Sequence, residues 1–310
     1  MKKLLITHSL FMFTEHEIQL EEAGFEIERL DLPEATEEQL IEALKDKDAY
    51  ILGGLEKVTE KVIESTDQLK AIVFTGSDWR HFIPGYELAT KKGIAIANAP
   101  GANKYAVAEY VITLILGMTR NIFELGRTGE KTFQTTPSLS ELTIGIIGMG
   151  KIGQQVTKML KGLGVKEVLY WSRNRKESFE KETGAIYTEL DDVFKKSDIV
   201  SQHLSKEAGV NFITKEHLAK LKDKSLVINC GSVEAMDTEA LYEELSSGRL
   251  RAAQDRPLGD RFNKLPLSTW FSSNSSTAYN THEANKKASD MVVTSIINLL
   301  DDGEDVFKVN

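Results

Sequence analysis

The sequence has a single cysteine, Cys230, in 310 residues, which excludes an internal disulfide framework. His, Cys, Asp and Glu residues nowhere show the spacing of metal ligands, so no metal site is predicted. No apolar stretch approaches the roughly 18 residues that a membrane-spanning helix needs. Lys and Arg number 38 against 47 Asp and Glu, and the net charge of −9 argues against nucleic acid as a partner. These absences predict a protein of the reducing cytoplasm that has neither nucleic acid nor a membrane as its partner.

The composition and length favour a folded protein of two domains. Hydrophobic residues make up 41% and charged residues 27% of the sequence, as is typical of globular proteins. Short apolar runs in the first hundred residues alternate with helix-like segments, at 4–6, 15–23, 49–52, 60–65, 71–74 and 86–92. Such alternation predicts βαβ units around a parallel sheet.

The pattern restarts at Thr143. Apolar runs that predict further strands lie at 144–147, 168–171, 199–200, 226–228 and 252–253. The last segment carries Ala288, Val292 and Ile296 on one helical face, which predicts a closing amphipathic helix. The sequence therefore predicts a second α/β domain, followed by a helix that packs back on the first.

A glycine-rich loop lies at the start of the second domain. The stretch TIGIIGMGKIGQQVTKMLKGLG (143–164) reads G-x-G-x-x-G between a predicted strand and a predicted helix. The first glycine allows a tight turn, the second lets a pyrophosphate approach the backbone, and the third lets the helix lie against the strand. The helix N-terminus then faces the phosphates. The predicted dinucleotide loop comprises Gly148, Met149, Gly150, Lys151, Ile152 and Gly153.

Positive charge follows the second strand of this domain. Dinucleotide-binding units normally carry an acidic residue there, which binds the adenosine ribose hydroxyls. This chain has Ser172 instead, with Arg173 next and Arg175 close by in LYWSRNRKES (169–178). A hydroxyl and two guanidinium groups suit the 2′-phosphate of NADP. We therefore favour NADP; the alternative is NAD, with 173–176 an ordinary solvent-exposed charge run.

Three longer stretches carry a family resemblance. They are GIAIANAPGANKYAVAEYVITLILGMTRNI (93–122), ELTIGIIGMGKIGQQVTKML (141–160) and SDIVSQHLSKEAGVNFITKEHLAKLKDKSLVINCG (197–231). Through them, and over nearly its whole length, the chain resembles the D-isomer-specific 2-hydroxyacid dehydrogenases. Members of that family use NAD(P) to reduce 2-oxo acids or to oxidise D-2-hydroxy acids.

The resemblance implies a discontinuous architecture of two Rossmann-like domains. Residues 1–100 and 281–310 are expected to form a flavodoxin-like substrate domain. Residues 101–280 are expected to form an inserted, doubly wound dinucleotide-binding domain. The family also implies an active site in the cleft between the domains and a homodimer joined through the cofactor domains.

The chemistry needs a cation for the substrate carboxylate, a protonated imidazole, and a carboxylate that orients the imidazole. By resemblance, His282 in YNTHEAN stands where the family has its proton-donating histidine. Asp260 stands near the place of the family's glutamate; a surface position in a rebuilt loop is the alternative. Ser232 in NCGSV replaces the family's arginine, and a hydroxyl carries no charge.

Other candidate residues follow from the same resemblance. The loop TGSDWRHFIPG (75–85) replaces the family's glycine-rich substrate loop, and its candidate substrate-binding residues are Gly76, Ser77 and Arg80. Arg80 either supplies the charge that Ser232 lacks or faces water. The remaining candidate cofactor-binding residues are His203, Cys230, Gly231 and Asp255.

Two functions are compatible with this sequence. The favoured one is an NADPH-preferring reductase of a 2-oxo acid, with His282 as the proton donor. The alternative is a catalytically silent family member that binds a dinucleotide for a regulatory role. The missing arginine favours the alternative, whereas His282 and the complete glycine loop favour the enzyme.

Overall fold

Short buried strands separate the helices in both halves of the chain. The computed structural model describes residues 1–7, 12–32, 34–128, 134–273 and 275–310. The chain divides into two units, one formed by residues 1–103 and 281–310 and the other by residues 104–280. None of the described helices is both long and apolar enough to cross a membrane.

The first unit is built on a five-stranded parallel sheet of order β2-β1-β3-β4-β5. Its strands are β1 (Lys2–Thr7), β2 (Phe25–Leu30), β3 (Ala49–Leu52), β4 (Ala71–Phe74) and β5 (Ala95–Asn98). The helices between them are α1 (Thr14–Glu22), α2 (Glu37–Leu44), α3 (Glu60–Glu64), α4 (Trp79–Phe82) and α5 (Tyr86–Lys91). All neighbouring strands run parallel, with Leu4 opposite Ile27 on one side and Ala49 on the other.

The second unit contains a seven-stranded parallel sheet of order β12-β11-β10-β9-β6-β7-β8. Its strands are β6 (Thr143–Ile147), β7 (Glu167–Trp171), β8 (Ile186–Tyr187), β9 (Ile199–Gln202), β10 (Leu226–Asn229), β11 (Arg251–Gln254) and β12 (Trp270–Ser272). The helices are α6 (Lys104–Thr119), α7 (Ile122–Thr128), α8 (Lys151–Gly162), α9 (Glu177–Thr183), α10 (Leu190–Lys196), α11 (Lys215–Ala219), α12 (Thr238–Ser246) and α13 (Asp260–Asn263). Short 3₁₀ helices span Leu139–Glu141 and Lys206–Ala208.

The closing helix, α14 (His282–Asp301), returns to the first unit. Its residues Val292, Val293 and Ile296 are fully buried and pack with alternate residues of the five-stranded sheet. The other alternate residues of the sheet pack with α2, α3 and α5. Both faces of the sheet are therefore covered, as parallel sheets require.

The predicted α/β fold with two parallel sheets is confirmed. Sequence patterns missed several short or polar elements: β2, α2, β5, β8, β12 and α4. Strand β2 reads FEIERL, and only Phe25 in it is buried because the strand lies at the sheet edge. Charged residues at an edge strand's solvent side remove the apolar run by which an interior strand is recognised.

Each sheet has one point where the chain order reverses. In the first unit this point lies between β1 and β3, and in the second between β6 and β9. Loops at the carboxyl ends of such strands diverge and leave a crevice, which is where doubly wound sheets bind ligands. The fold thus directs attention to the carboxyl ends of β1 and β3, and to those of β6 and β9.

Helix α8 carries two glycines with opposite surroundings, which gives a matched stability test. A Cβ at Gly153 would lie 2.3 Å from the carbonyl oxygen of Gly148, whereas a Cβ at Gly162 would meet no atom within 4 Å. We expect Gly153→Ala to lower the free energy of unfolding by about 1–3 kcal/mol, as overpacking does. Gly162→Ala should leave it unchanged or slightly raised. Urea unfolding of the two variants measures the difference, and equal stabilities would contradict the contact.

Candidate functional site

The glycine loop after β6 forms the floor of the site. Gly148 has φ +96°, a conformation that side-chain-bearing residues rarely adopt, and its N–H donates to the carbonyl of Trp171 at 2.9 Å. A Cβ at Gly148 would also lie 2.9 Å from the carbonyl oxygen of His203. Helix α8 begins directly after Gly150, which makes no side-chain cap. The first N–H groups of this 12-residue helix therefore face the loop, ready for an anion.

A cavity of about 360 Å³ opens beside this loop. It lies at the carboxyl ends of β6, β7 and β9, where the second sheet reverses its order. It is lined by Gly148, Met149, Gly150, Trp171, Ser172, Arg173, Asn174, Lys176, His203, Leu204, Ser205, Glu207, Ala208 and Phe212. Position, size and lining fit part of a bound dinucleotide.

The basic segment after β7 contributes two cations to the cavity wall. The Ser172 hydroxyl is buried and donates to the carbonyl of Asn174 at 2.6 Å, which tightens the turn. Arg173 is mostly exposed, and its guanidinium lies 3.8 Å from the carboxylate of Glu207. Lys176 lines the cavity as well. Sequence reasoning had not selected Lys176 as a site residue.

Arg175, which the sequence selected, is outside the cavity lining. Its guanidinium makes two hydrogen bonds to Glu180, at 2.9 and 2.8 Å, and the Tyr170 hydroxyl donates to the same carboxylate at 2.6 Å. The Arg175 and Tyr170 hydrogen bonds lower the pKa of Glu180 to about 2. The partner lies on the following helix, so no local signal around Arg175 revealed it.

His203 stands where β9 ends, on the other side of the glycine loop. Its Nε2 lies 3.0 Å from the Ser201 hydroxyl, and its buried Nδ1 has no hydrogen-bond partner in the described residues. Burial lowers the pKa of His203 to about 4. The imidazole is therefore neutral at pH 7 and suits a pocket wall better than a proton donor.

The turn after β10 is held by a buried amide that sequence reasoning missed. The Gln202 side chain is fully buried; its Nε2 donates to the Asn229 side chain and, at 2.8 Å, to the carbonyl of Ser232. Its Oε1 accepts from the N–H of Leu204 at 2.8 Å. Gln202 thus ties the cavity wall at Leu204 to the turn that contains Gly231. The polar residue within an apolar strand was the available signal.

The side chain of Ser232 is hydrogen-bonded to an acidic residue. Its hydroxyl donates to Glu234 at 2.7 Å, and Lys206 lies 3.3 Å from the same carboxylate. Hydrogen bonds from the Glu234 backbone N–H and from Ser232, together with Lys206, lower the pKa of Glu234 to about 2. Glu234 is therefore held as a carboxylate beside Ser232, with Lys206 close enough to offset its charge.

Cys230 and Asp255 lie behind this turn. Burial, and then the charge of Asp255, raise the pKa of the Cys230 thiol, so it is not activated as a nucleophile. The Asp255 carboxylate accepts from the N–H groups of Thr277 at 2.9 Å and Ala278 at 3.1 Å, and from the Ser276 hydroxyl at 2.8 Å. These bonds anchor the chain after β12, a structural task for a residue predicted to bind cofactor.

The two predicted proton-transfer residues belong to different units. His282, the first residue of α14, is exposed in the first unit, and its ring contacts Phe13 edge-on at 5.1 Å. Thr281 caps the helix by accepting from the N–H of Ala284 at 3.2 Å. Asp260, exposed at the start of α13, belongs to the second unit.

The substrate-loop candidates lie after β4 in the first unit. The Asn98 side chain donates to the carbonyls of Gly76 at 3.2 Å and Ser77 at 3.1 Å, and the Ser77 hydroxyl accepts from Gly101. Arg80 lies on the short helix α4, with its guanidinium 4.4 Å from the Trp79 ring. This stacking holds Arg80 over the buried indole.

Among the described residues, no group of three or more His, Cys, Asp or Glu could hold a metal ion.

Two parallel α/β units, one with a glycine loop and a cavity where its sheet order reverses, define a protein of the Rossmann dinucleotide-binding class. Residues 112–268 match the family described as D-isomer specific 2-hydroxyacid dehydrogenase, NAD binding domain. The chain belongs to this family of NAD(P)-dependent oxidoreductases, and the predicted membership is confirmed. Its second unit is accordingly an NAD(P)-binding domain.

Individual relatives agree with this assignment. The chain is 36% identical over 239 residues to a glyoxylate reductase of Thermofilum pendens, which covers 73% of this chain and 69% of the relative. It is 33% identical over 225 residues to a D-3-phosphoglycerate dehydrogenase of Methanocaldococcus jannaschii, covering 70% of this chain but 42% of that protein. An acyclic imino acid reductase, solved with NADPH and D-Arg, is similar at 24% identity and a TM-score of 0.84 over 100% of both chains. That likeness shows a shared fold.

The low pKa of His203 predicts how the imidazole responds to acid. An imidazole that titrates near pH 4 when folded and near 6.5 when unfolded binds protons more readily in the unfolded chain. Stability should therefore decrease as the pH falls from 6.5 towards 4. In NMR spectra, with His203→Gln used to assign the signals, the His203 ring resonances should stay constant from pH 8 to about 5. A midpoint near 6.5 would show that the ring is open to solvent.

Proposed function

We propose that the protein is an NADPH-preferring reductase of 2-oxo acids. The observation that carries the cofactor preference is the cavity wall after β7, where Ser172 replaces an acid and where Arg173 and Lys176 supply positive charge. A ribose 2′-phosphate would be repelled by a carboxylate at the strand end and attracted by these two cations. Arg173 reaches the phosphate by exchanging its long contact with Glu207.

The residues present fit a bound dinucleotide. Gly148 and Gly153 leave a backbone cradle that a Cβ would fill, and the uncapped N-terminus of α8 suits a pyrophosphate. We assign the backbone of Met149, Lys151 and Ile152 to the same phosphate site, and Ser172 to the ribose. We place the nicotinamide half near His203, Cys230 and Gly231, with Asp255 holding that wall through the loop at 276–278.

The bound cofactor supplies a hydride to the carbonyl carbon of the substrate. In the proposed mechanism, His282 donates the proton that the carbonyl oxygen takes up, so that a 2-oxo acid becomes a 2-hydroxy acid. Its place at the exposed start of α14 leaves the ring accessible. Asp260 serves as the carboxylate that orients the ring. Gly76 and Ser77 contribute to substrate binding, whereas the stacking of Arg80 on Trp79 supports an aromatic contact more than a substrate contact.

Substrate and assembly follow the family. The relatives named glyoxylate reductase and hydroxypyruvate reductase act on small 2-oxo acids according to their names, which supports a small 2-oxo acid here. We assign the substrate-binding role to the first unit. We also propose a homodimer joined through the second units, in the cytoplasm.

The cofactor assignment makes a prediction that separates three neighbouring cations. Arg173→Ala and Lys176→Ala should each weaken NADPH binding about ten- to hundredfold, the value of a charge-assisted hydrogen bond, and leave NADH binding within about twofold. Arg175→Ala is the matched control, because Glu180 already holds its guanidinium. Fluorescence titration with both nucleotides gives two dissociation constants for each variant.

Two results would contradict the assignment. If wild-type protein binds NADH more tightly than NADPH, the basic segment is a solvent-exposed charge run. If Arg175→Ala has the largest effect, the Glu180 pair opens on binding and the cavity wall was assigned to the wrong cation.

A catalytically silent dinucleotide-binding protein is the second candidate. Ser232 in place of a cation favours it, since losing one electrostatic donor at a reaction centre costs roughly a hundredfold to a thousandfold in turnover. The exposed His282 and the intact cradle at Gly148 and Gly153 favour the enzyme.

Turnover distinguishes the two candidates. With NADPH and a panel of glyoxylate, hydroxypyruvate and pyruvate, His282→Ala should lower kcat about a hundred- to ten-thousandfold, as loss of a general acid does. NADPH affinity should not change. Glu283→Ala, at the next and equally exposed position, is the control.

Wild-type protein that binds NADPH but turns over no member of the panel supports the silent candidate. Ser232→Arg in the same assay then shows what is missing. A gain of turnover means that the pocket lacked only a cation, and no gain means that it serves a different reaction.

A further inference from the structure

Glu56 is a buried carboxylate in the first unit that the proposed reaction does not use. It follows β3 and is only 1% exposed. Its Oε1 accepts from the Tyr50 hydroxyl at 2.7 Å and from the Thr7 hydroxyl. Its Oε2 has no hydrogen-bond partner among the described residues. Burying an unmatched carboxylate oxygen costs free energy, so its presence calls for a functional explanation.

The position of Glu56 in the fold points to a ligand. Thr7 ends β1 and Tyr50 lies in β3, the two strands between which the order of the five-stranded sheet reverses. Ligands of doubly wound sheets bind at the carboxyl ends of those two strands. Both hydroxyls that hold Glu56 therefore lie at the edge where this unit is expected to take its substrate.

Within the described residues, Glu56 forms no ion pair with lysine or arginine. The adjacent Lys57 instead donates to the carbonyl of His81 at 2.8 Å and lies 4.4 Å from the Phe82 ring. A cationic group of a ligand would therefore meet no competing cation here among the described residues, and its attraction to an ionised carboxyl group in this surrounding would be weakened less than in water.

Two glycines form the cover over the carboxylate. A Cβ at Gly54 would lie 2.0 Å from Glu56 Oε2, so any side chain there would displace the carboxylate from its two hydroxyls. The N–H of Gly53 donates to the Thr7 hydroxyl at 3.2 Å, which joins the cover to the same network. The glycine backbone that covers Glu56 thus brings no side chain of opposite charge.

We propose that Glu56 is a specificity-determining residue that selects substrates bearing a positively charged group, an ammonium or a guanidinium. The inference rests on the proposed function and adds the substrate class to it. A 2-oxo acid with a cationic side chain fits this assignment, and a dicarboxylic 2-oxo acid does not.

Three 2-oxo acids of similar length test the proposal. They are 2-oxo-5-guanidinopentanoate (cationic side chain), 2-oxohexanoate (neutral) and 2-oxoadipate (anionic). With saturating NADPH, we expect kcat/KM to favour the cationic over the neutral acid about tenfold, equivalent to about 1.4 kcal/mol, and to be lowest for the dicarboxylate. Calorimetric titration of the NADPH-loaded protein should give the same order of affinity.

Variants assign the preference to Glu56. Glu56→Gln should bring the three acids to within about twofold of one another, with 2-oxohexanoate little changed. Tyr50→Phe removes one hydroxyl but keeps the carboxylate, so the preference should persist. Glu64→Gln removes an exposed carboxylate from α3 and is the charge-matched control. Thermal unfolding confirms that each variant is folded.

The outcomes separate this inference from the proposed function. Reduction of 2-oxohexanoate without charge preference, or equal losses for all three acids in Glu56→Gln, overturns the role of Glu56 and leaves the reductase intact. NADPH binding without reduction of any acid overturns the reductase. The calorimetric order then decides on Glu56 by itself, because a charge preference in binding needs no turnover.

Discussion

The close packing of helix α8 against strand β6 is the contact on which the glycine loop and the cavity beside it depend. Gly153 brings the helix so near that a Cβ there would lie 2.3 Å from the carbonyl oxygen of Gly148. That approach points the first N–H groups of the helix at the loop. It also allows Gly148, at φ +96°, to turn beneath the carbonyl of His203. The cavity, the basic wall after β7 and the imidazole wall after β9 are all arranged around this one contact.

Buried polar side chains at strand ends divide into two kinds. Gln202 and Asp255 have all their described polar atoms engaged, with Gln202 joining two loops and Asp255 anchoring the chain after β12. Glu56 and His203 each retain one buried atom without a hydrogen-bond partner among the described residues. The first kind explains why the loops hold their shape, because satisfied buried networks are rigid. The second kind costs stability, and in these two residues it lies at the carboxyl ends of strands beside the points where the sheet order reverses.

Most features of the fold that could be predicted from the sequence follow from short-range patterns. The parallel sheets follow from apolar runs of strand length, and the glycine loop follows from spacing within six residues, so both were visible in sequence. The details that the sequence left open depend on which partner a side chain finds in the folded chain. Arg175 pairs with Glu180, and Lys176 rather than Arg175 lines the cavity. No local pattern specifies which of two adjacent cations a later helix will hold.

The roles of single residues at the sheet edges also depend on partners that are distant in the sequence. The aspartate after β11 was identified as important, yet its three hydrogen bonds to residues 276–278 depend on a loop twenty residues away. Glu56 attracted no attention in sequence because a glutamate after a strand is normally solvent-exposed. Only the hydroxyls of Thr7 and Tyr50, which come from two different strands, make it a buried acid.

Helix α14 belongs to the first unit but lies at the end of the chain, which affects when that unit can fold during synthesis. This helix covers part of one face of the five-stranded sheet, and its residues are synthesised after the entire second unit. Residues 104–280 are contiguous and contain every strand of their own sheet. On the ribosome, the inserted unit can therefore close its core while the earlier one still exposes apolar surface. The first unit can therefore complete its core only after α14 has been synthesised, which is later than its amino-terminal position suggests.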